Sequence, residues 1–451
     1  MKIQFGVGRR CINPQVPISL AGYFNIRMWD KVLDDLEVRA IIFKQGPDYA
    51  AILQFDLVTV PLFLCDQILD SVRKAGIREL SRENILICAT HTHTGPEVRL
   101  GRNGANSEYL PFAAERAVEA LREALGSLRE GELEYGRTAD HRFIFNRRYW
   151  MKNGNVLTNP GKLNAAILRP EGEIDPEIPL LGIRCDGKLA VLVCSIVNHT
   201  DTIGGNGVSA DWPGFLRRSI EADLGEGSML IPLIGASGNI NHFDVSTDMP
   251  QTQYTEARRI GTGYAETIRE AIPALRPVKG DSFRTVFGEA DAPPREISEE
   301  EIAEAKAVME KYPDEDINGG ADMTSEDLAR GAPVVLKYFA SVLLNQADYH
   351  ETQRFFLTGF SFGSSVVIAS LPSEPFTEIG LALRKEIFRE RVCLVAALAN
   401  GTGSYHCGGG YIPNAWNYGR GGYETTPRSN PFSMKTSAIL LKKWRELSEK
   451  I

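Results

Sequence analysis

The stretch that most constrains what this chain can fold into is Ile85-Leu86-Ile87-Cys88-Ala89-Thr90-His91-Thr92-His93-Thr94-Gly95-Pro96, an apolar run that stops abruptly at two histidines. The apolar part is short, continuous and free of glycine and proline, which is the pattern of a buried strand. The polar residues after Ala89 leave the strand's carboxyl end as a loop, and open α/β sheets gather their ligands at that end. A His-x-His pair at a strand tip can aim one imidazole at a metal and keep the second for a substrate. Standing alone, the pair fits a polar turn equally well, so its partners must be sought along the chain.

Composition narrows the search. A chain of 451 residues suffices for one large domain or two ordinary ones. Apolar residues make up 43% and charged residues 24%, as in a globular protein with a substantial core. The formal net charge of -8 argues against a general nucleic-acid or anionic-membrane surface. No apolar run approaches the roughly 18 residues of a membrane span. The start, Met1 to Gly8, has no long apolar segment of the kind that directs secretion and reads as a first strand, so a cytoplasmic location is expected. Seven cysteines form no framework and no Cys-x-x-Cys pair, which points to reduced thiols and away from a thiolate zinc site. The expected partner is a small-molecule substrate, with no nucleic acid and no membrane span. A homo-oligomer is compatible with the sequence, which does not fix the oligomeric state.

Taken in order, the chain alternates strands and helices. Residues 36–43 and 51–58 form a hairpin around Gln45-Gly46-Pro47-Asp48. Phe63 to Ala75 and Ser107 to Leu125 are amphipathic helices on either side of the histidine strand. This rhythm implies a sheet covered by helices. Phe145-Asn146-Arg147-Arg148 ends an apolar stretch in two arginines. The apolar run 189–197 delivers Asn198-His199. Ser209-Ala210-Asp211-Trp212-Pro213-Gly214 opens a helix with Asp211 as N-cap. Met229 to Ile234 runs into Gly235-Ala236-Ser237-Gly238-Asn239-Ile240-Asn241-His242, a loop small enough for backbone to approach a ligand. Tyr254 to Ile272 is helical. Residues 290–355 differ: a capping box at Ser298-Glu299-Glu300-Glu301 and a second cap at Thr324-Ser325-Glu326-Asp327 mark a helical insertion, either overhanging the site or lying on the surface. The strand after it gives way to Leu371-Pro372-Ser373-Glu374-Pro375-Phe376, in which flanking prolines stiffen a carboxylate. A glycine- and aromatic-rich loop from Gly401 to Gly422 succeeds the last apolar strand, 392–399, and a helix from Met434 to Lys450 closes the chain.

Apolar strands therefore end in His91, His199, Asn241 and Glu374. Taken singly, a structural histidine or a solvated turn explains each of them. Together they match zinc, which takes neutral imidazole nitrogen and carboxylate oxygen and, in catalytic sites, keeps one position for water. Rigid strands are suited to fixing such ligands from distant parts of a chain.

These residues also carry a resemblance. Thr90-His91-Thr92-His93-Thr94-Gly95-Pro96 resembles the His-Thr-His-Ser-Gly-Pro signature of the neutral (non-lysosomal) ceramidase family. Phe5-Gly6-Val7-Gly8 and Gly22-Tyr23 are similar to that family's start, and Asn146-Arg147 to its Asn-Arg motif. Asn198-His199 with Ser209-Ala210-Asp211 is similar to its second zinc-histidine region, and Leu371 to Phe376 to its Pro-Gly-Glu-Phe motif. Gly410-Tyr411-Ile412-Pro413 and Gly422-Tyr423-Glu424 are similar to its final tyrosine loop. The matches keep chain order over about 1–430. The resemblance implies an α/β fold of mixed β-sheets flanked by helices, a single domain over residues 1–451 with 290–355 inserted in it, and a bound Zn2+. It implies that His91, His199, Glu374 and Tyr411 hold the metal, while His93, Arg147 and Tyr423 line the substrate and stabilise the developing oxyanion. Two departures are plain. Gly238-Asn239-Ile240-Asn241-His242 stands where the family has Gly-Asp-Val-Ser-Pro, so Asn241 occupies the place of its active serine and can orient a water or substrate but cannot act as a base. The family's C-terminal sandwich domain has no counterpart in these residues. The expected activity is thus zinc-dependent hydrolysis of an amide, or less readily an ester, in a small polar substrate rather than ceramide. An enzyme acting on a carbohydrate derivative and a non-catalytic metal-bound binding module are the alternatives.

Overall fold

Two sheets of unequal size share one core. The computed structural model describes residues 1–102, 104–317, 323, 327, 331–401 and 410–451. The larger sheet has nine strands among the described residues. Its path uses β1 (Lys2–Cys11), β2 (Glu37–Gln45), β3 (Asp48–Phe55), β4 (Ile85–Ala89), β5 (Arg129–Ala139), β6 (Glu177–Cys185), β7 (Lys188–Ile196) and β8 (Met229–Ile234). Their order is β8-β7-β6-β5-β1-β2-β3-β4, with the two-residue strand Arg276–Pro277 added beside β5. The middle strands pair antiparallel, and the outermost pair at each edge, β7 with β8 and β3 with β4, is parallel. Parallel neighbours place the carboxyl ends of β4 and β7 beside loops running the same way, which is where the histidines lie.

The larger sheet curls. Arg39 of β2 donates to the Leu230 carbonyl of β8 at 2.9 Å, and Gln54 of β3 donates to the Pro232 carbonyl of β8 at 2.6 Å, so strands near one edge touch the opposite edge. The smaller sheet, β9 (Phe283–Ala292), β10 (Gln353–Phe362), β11 (Val366–Ser370) and β12 (Val392–Ala396), packs against one face of the curl. Phe5, Phe43, Leu86 and Ile231 from the first sheet meet Phe360, Phe362, Ile368 and Leu394 from the second in one apolar cluster. The chain leaving β12 then bridges the two edges: Ala397 N–H donates to the Ile234 carbonyl and Asn400 N–H to the Ile87 carbonyl.

Helices cover the outer face of each sheet. On the larger one lie α1 (Leu62–Lys74), α2 (Tyr109–Gly126), α3 (Asp211–Leu224) and α4 (Tyr254–Ala271), whose apolar faces enter a second cluster with Val38, Ala40 and Ile42. Between β9 and β10 run α5 (Glu299–Lys311) and α6 (Pro333–Ala347). The short α7 (Thr377–Ala382) and the closing α8 (Thr436–Ser448) cover the smaller sheet, where Trp444 is wholly buried and donates its indole N–H to the Ser370 carbonyl at 2.9 Å. The expected mixed α/β fold is present. The expected helix cover is met on one face of each sheet only, because the other faces are spent on each other; that is why β4 and β8 are apolar at every position.

Helices α1, α2, α4 and α8 start and stop within two residues of their expected positions. The capping box of α5 forms as expected, with Glu301 N–H donating to Ser298 Oγ and Ser298 N–H to Glu301 Oε2. The cap expected at Thr324 to Asp327 falls, apart from Asp327, outside the described residues. Asp211 is not an N-cap: it is the first residue of α3 at φ 57°, and its carboxylate turns back to accept from Thr202 N–H at 2.9 Å. The same carboxylate accepts from Trp212 N–H at 2.5 Å, so it ties the start of α3 to the loop after His199 from within the helix, and the Trp212 indole donates to the His199 carbonyl at 2.8 Å.

Candidate metal centre

His91 and His199 come from strands near opposite edges of the larger sheet, and Glu374 comes just after β11 of the smaller one. The curl brings all three together. His91 Nε2 lies 3.2 Å from His199 Nε2, and Glu374 Oε2 lies 3.4 Å from each of them. Backbone conformation aims two of these side chains. His91 sits at φ 65° and Ser373, just before Glu374, at φ 55°, in a left-handed region that costs a non-glycine residue energy. Such strain persists only where surrounding structure imposes it and tends to gather at functional sites.

The far nitrogen of each imidazole is fixed. The Val58 carbonyl accepts from His91 Nδ1 at 2.7 Å and the Ser237 carbonyl from His199 Nδ1 at 3.1 Å. Carbonyls only accept, so each ring donates from Nδ1 and turns Nε2 towards the cluster, where Arg147 Nη1, a donor only, lies 3.2 Å from that of His199. Glu374 Oε2 is buried and has no hydrogen-bond donor. Three ligand-type atoms thus face one another at 3.2 to 3.4 Å. Donors about 2.0–2.1 Å from a tetrahedral zinc stand about 3.3 Å apart. The triangle therefore matches one face of a tetrahedral zinc site, and the donor set fits the ion.

Burial and neighbouring charge favour the ligating forms of His199 and Glu374. Burial, reinforced by Arg147, pushes the His199 imidazole down to about 4. Burial and the two neighbouring histidines push His93 well below its ordinary range. Burial raises the Glu374 carboxyl, but His91 and His199 outweigh it and hold it well below the usual carboxylate range. A neutral imidazole at His199 and a carboxylate at Glu374 are groups that a divalent cation takes.

His93 joins the cluster, its Nε2 3.4 Å from His91 Nε2, and His91, His93 and His199 form a buried group able to hold a metal ion. Its other nitrogen is 3.4 Å from Asp201, whose carboxylate accepts from the Tyr23 hydroxyl. Arg147, 7% exposed, lies with Nη1 3.2 Å from His199 Nε2 and donates through Nε to Glu424 at 2.8 Å and through Nη2 to the Gly238 carbonyl at 2.8 Å. Glu424 also accepts from Arg148 and from the Thr158 hydroxyl. Tyr411 pairs in register with Glu374 on a short parallel bridge, and its ring lies 5.0 Å from the Arg147 guanidinium carbon. Tyr423 stands 5.7 Å from Tyr411, ring to ring. His91, His93, Glu374, Tyr411 and Tyr423 line a cavity of about 820 Å³, to which Ile317, Met323, Tyr338 and Tyr349 from the segment between β9 and β10 also contribute.

Asn241 is placed elsewhere. It is buried, donates to Asn159 Oδ1 at 2.9 Å and accepts from Phe243 N–H, and it is not among the residues lining the cavity. Its backbone pairs with Phe145, which fixes the strand leading to Arg147. Asp201, Glu424 and Asp56 support the site and escape a linear reading. Asp56 is fully buried, takes both Nη groups of Arg217 at 2.7 Å and accepts from the Thr90 hydroxyl beside His91. Its only sequence signal is an acidic residue at the end of an apolar strand, and Asp201 stands two residues after His199.

The glycines of the loop after β8 serve a close approach, but to the chain rather than to a ligand. A Cβ at Gly238 would lie 2.4 Å from the Glu374 carbonyl oxygen. Gly238→Ala is expected to displace Glu374 and weaken metal binding by about 10–100-fold, the range for lost support around a ligand. Zinc titration against a competing chelator checks this, and unchanged affinity would refute it.

No family model matches the chain, and no curated protein matches it. Among solved structures it is similar to neutral ceramidase from Pseudomonas aeruginosa, with a TM-score of 0.73 and 17% identity over 99% of this chain and 74% of that one. It is likewise similar to a ceramidase complexed with C2, with a TM-score of 0.73 and 15% identity over 99% of this chain and 75% of that one. The chain has the neutral ceramidase fold.

Proposed function

We propose that this chain is a zinc-dependent hydrolase that cleaves an amide, or less readily an ester, in a small polar substrate. The observation that carries the reading is the triangle of donors from His91, His199 and Glu374, of which His91 and Glu374 line a cavity, on a ceramidase-like fold. Those three residues hold the metal, with Tyr411 beside them as a fourth ligand. When bound, zinc supplies a Lewis acid and lowers the pKa of water to about 7.

The remaining residues divide the work. Arg147 is held rigidly by Glu424 and the Gly238 carbonyl and offers positive charge where the carbonyl oxygen becomes an oxyanion. Tyr423 adds a hydroxyl donor from the cavity wall. His93 is neutral and sits beside Asp201, so it can accept a proton at Nε2 and return it to the leaving nitrogen while the carboxylate steadies the imidazolium. Asn241 positions Arg147 through its backbone bridge. Residues 1–451 act as one catalytic domain, and α6, within the insertion at 290–355, roofs the cavity.

Metal analysis of protein purified without chelators tests this. The expected result is about one zinc per chain in the wild type, none in His199→Ala, and zinc-dependent release of amine from a panel of N-acyl compounds. A wild type that neither contains nor takes up a divalent metal, or that loads zinc and turns over no amide or ester, would overturn the reading.

A further inference from the structure

The charge of the cavity wall opposes that of the chain. The protein carries a formal net charge of -8. The described residues lining the cavity include Arg99, Arg102, Arg295 and Arg428 against Glu97 and Glu374, with no lysine and no aspartate. Two of these arginines are already engaged by hydrogen bonds of 3.2 Å or less. Arg99 forms a fork on Glu97, at 2.8 and 2.6 Å, and Arg295 donates to the Thr425 and Asn430 carbonyls. The other two are not. Arg102 has the Tyr23 carbonyl at 3.3 Å and is 3.9 Å from Glu97, a carboxylate already occupied by Arg99. Arg428 has one hydrogen bond among the described residues, Nη1 to Tyr423 Oη at 3.5 Å, and no carboxylate partner there.

Aromatic rings hold Arg428 instead. Its guanidinium carbon lies 3.5 Å from the Phe24 ring centroid and 4.6 Å from that of Phe339. Rings attract a cation to their faces and leave the in-plane N–H groups unfilled. A half-buried cation held flat, with its donors short of acceptors, is pre-organised for an oxyanion.

We propose that this cavity takes a substrate bearing an anionic oxyacid group, a carboxylate or a phosphate, and that Arg428 and Arg102 bind that group. The proposal rests on the hydrolase reading for the bond that is cut, and on the cavity wall alone for the charge. The scissile carbonyl then lies at the His91 end and the anion at the Arg428 end, so the class of substrate is an N-acylated or esterified acid rather than a neutral lipid amide.

Calorimetric titration of the purified protein with succinate and with inorganic phosphate tests the proposal without turnover. At least one anion is expected to bind, and Arg428→Gln and Arg102→Gln are each expected to weaken it about tenfold to a hundredfold, the loss of charge-assisted hydrogen bonds. Arg428→Lys keeps the charge but not the fork and is expected to fall between. Arg73→Gln, an exposed change on α1, is expected to bind as wild type does. Succinate binding assigns a carboxylate and phosphate binding a phosphate. If Arg428→Gln does not fold, Arg428→Lys and Arg102→Gln decide. No binding of either anion, or binding indifferent to both arginines, as an anion held by the metal would be, overturns the proposal. Zinc-loaded protein that hydrolyses N-acyl amino acids and their carboxamides at equal kcat/KM overturns it too, while leaving the hydrolase reading intact; absence of all hydrolysis with arginine-dependent anion binding does the reverse.

Discussion

His91→Ala is expected to abolish zinc-dependent hydrolysis while leaving a folded protein. Changes in the residues that merely support metal ligands cost 10–100-fold, so loss of a ligand that forms one corner of a 3.2 to 3.4 Å triangle should cost more than about a hundredfold. The stability consequence has opposing parts. Removing the imidazole leaves the buried Val58 carbonyl without its donor, worth about 1–3 kcal/mol. It also relieves the crowding of lone pairs in the metal-free state. The relief opposes the loss of this bond and of the buried ring's packing, so the metal-free variant should melt a few degrees below the wild type. With zinc they should part. Free zinc at a hundred times its Kd stabilises the wild type by about 2.7 kcal/mol and the variant not at all. Melting curves with and without zinc, alongside amine release, check both halves. A variant that keeps its activity or its zinc-dependent rise in Tm would show that His91 is no ligand.

Arg148→Ala is expected to give the largest loss of stability at a residue outside the metal triangle. Arg148 is wholly buried and bridges Glu171 and Glu424, both at most 1% exposed in their side chains. Removing it leaves Glu171 with only Arg420 at 3.5 Å and Glu424 with only Arg147 as cation, and breaking a buried pair costs about 3–5 kcal/mol. The exposed pair Lys2–Glu130 is screened by solvent and contributes far less. The effect has a pH signature. Burial raises the Glu424 carboxyl, but Arg147 and Arg148 outweigh it and hold it below its ordinary 4.5. A carboxyl depressed on folding contributes stability above its unfolded pKa and loses it as pH falls through the folded value. Wild type therefore loses this contribution below about pH 4.5, and the variant, whose Glu424 is less depressed, has less to lose. The gap between the two should be widest near pH 7 and narrow on acidification. Denaturation at several pH values measures it, and a gap that stays constant would mean that the charge of Glu424 is not what Arg148 stabilises. Because Glu424 also anchors Arg147, turnover should fall along with stability.

The two arginines show how far a linear reading reaches. Phe145-Asn146-Arg147-Arg148 stands out by type and position, yet nothing local says that both guanidiniums converge on Glu424, 277 and 276 residues away. Apolar strands ending in His91, His199 and Glu374 were legible for a similar reason: strand periodicity and ligand chemistry are local properties. Asn241 stands out by the same rule, and what no local pattern shows is that its backbone pairs with Phe145 on the bridge that carries Arg147.

The sequence by itself determined the elements and the chemistry on offer: apolar strands of fixed length, helices with their caps, and the residue types that take zinc. These follow from short-range sterics, hydrogen bonding and hydrophobic periodicity. Only the tertiary structure decided which of those residues meet. The larger sheet curls until Arg39 and Gln54 reach β8, the smaller sheet fills its inner face, and the chain after β12 bridges both edges. That closure puts His91 and His199 3.2 Å apart, and it leaves Arg428 stacked on Phe24 with its donors unfilled. Curl and closure come from summed strand twist and the packing of two cores, quantities spread over the whole chain and written at no single position in it.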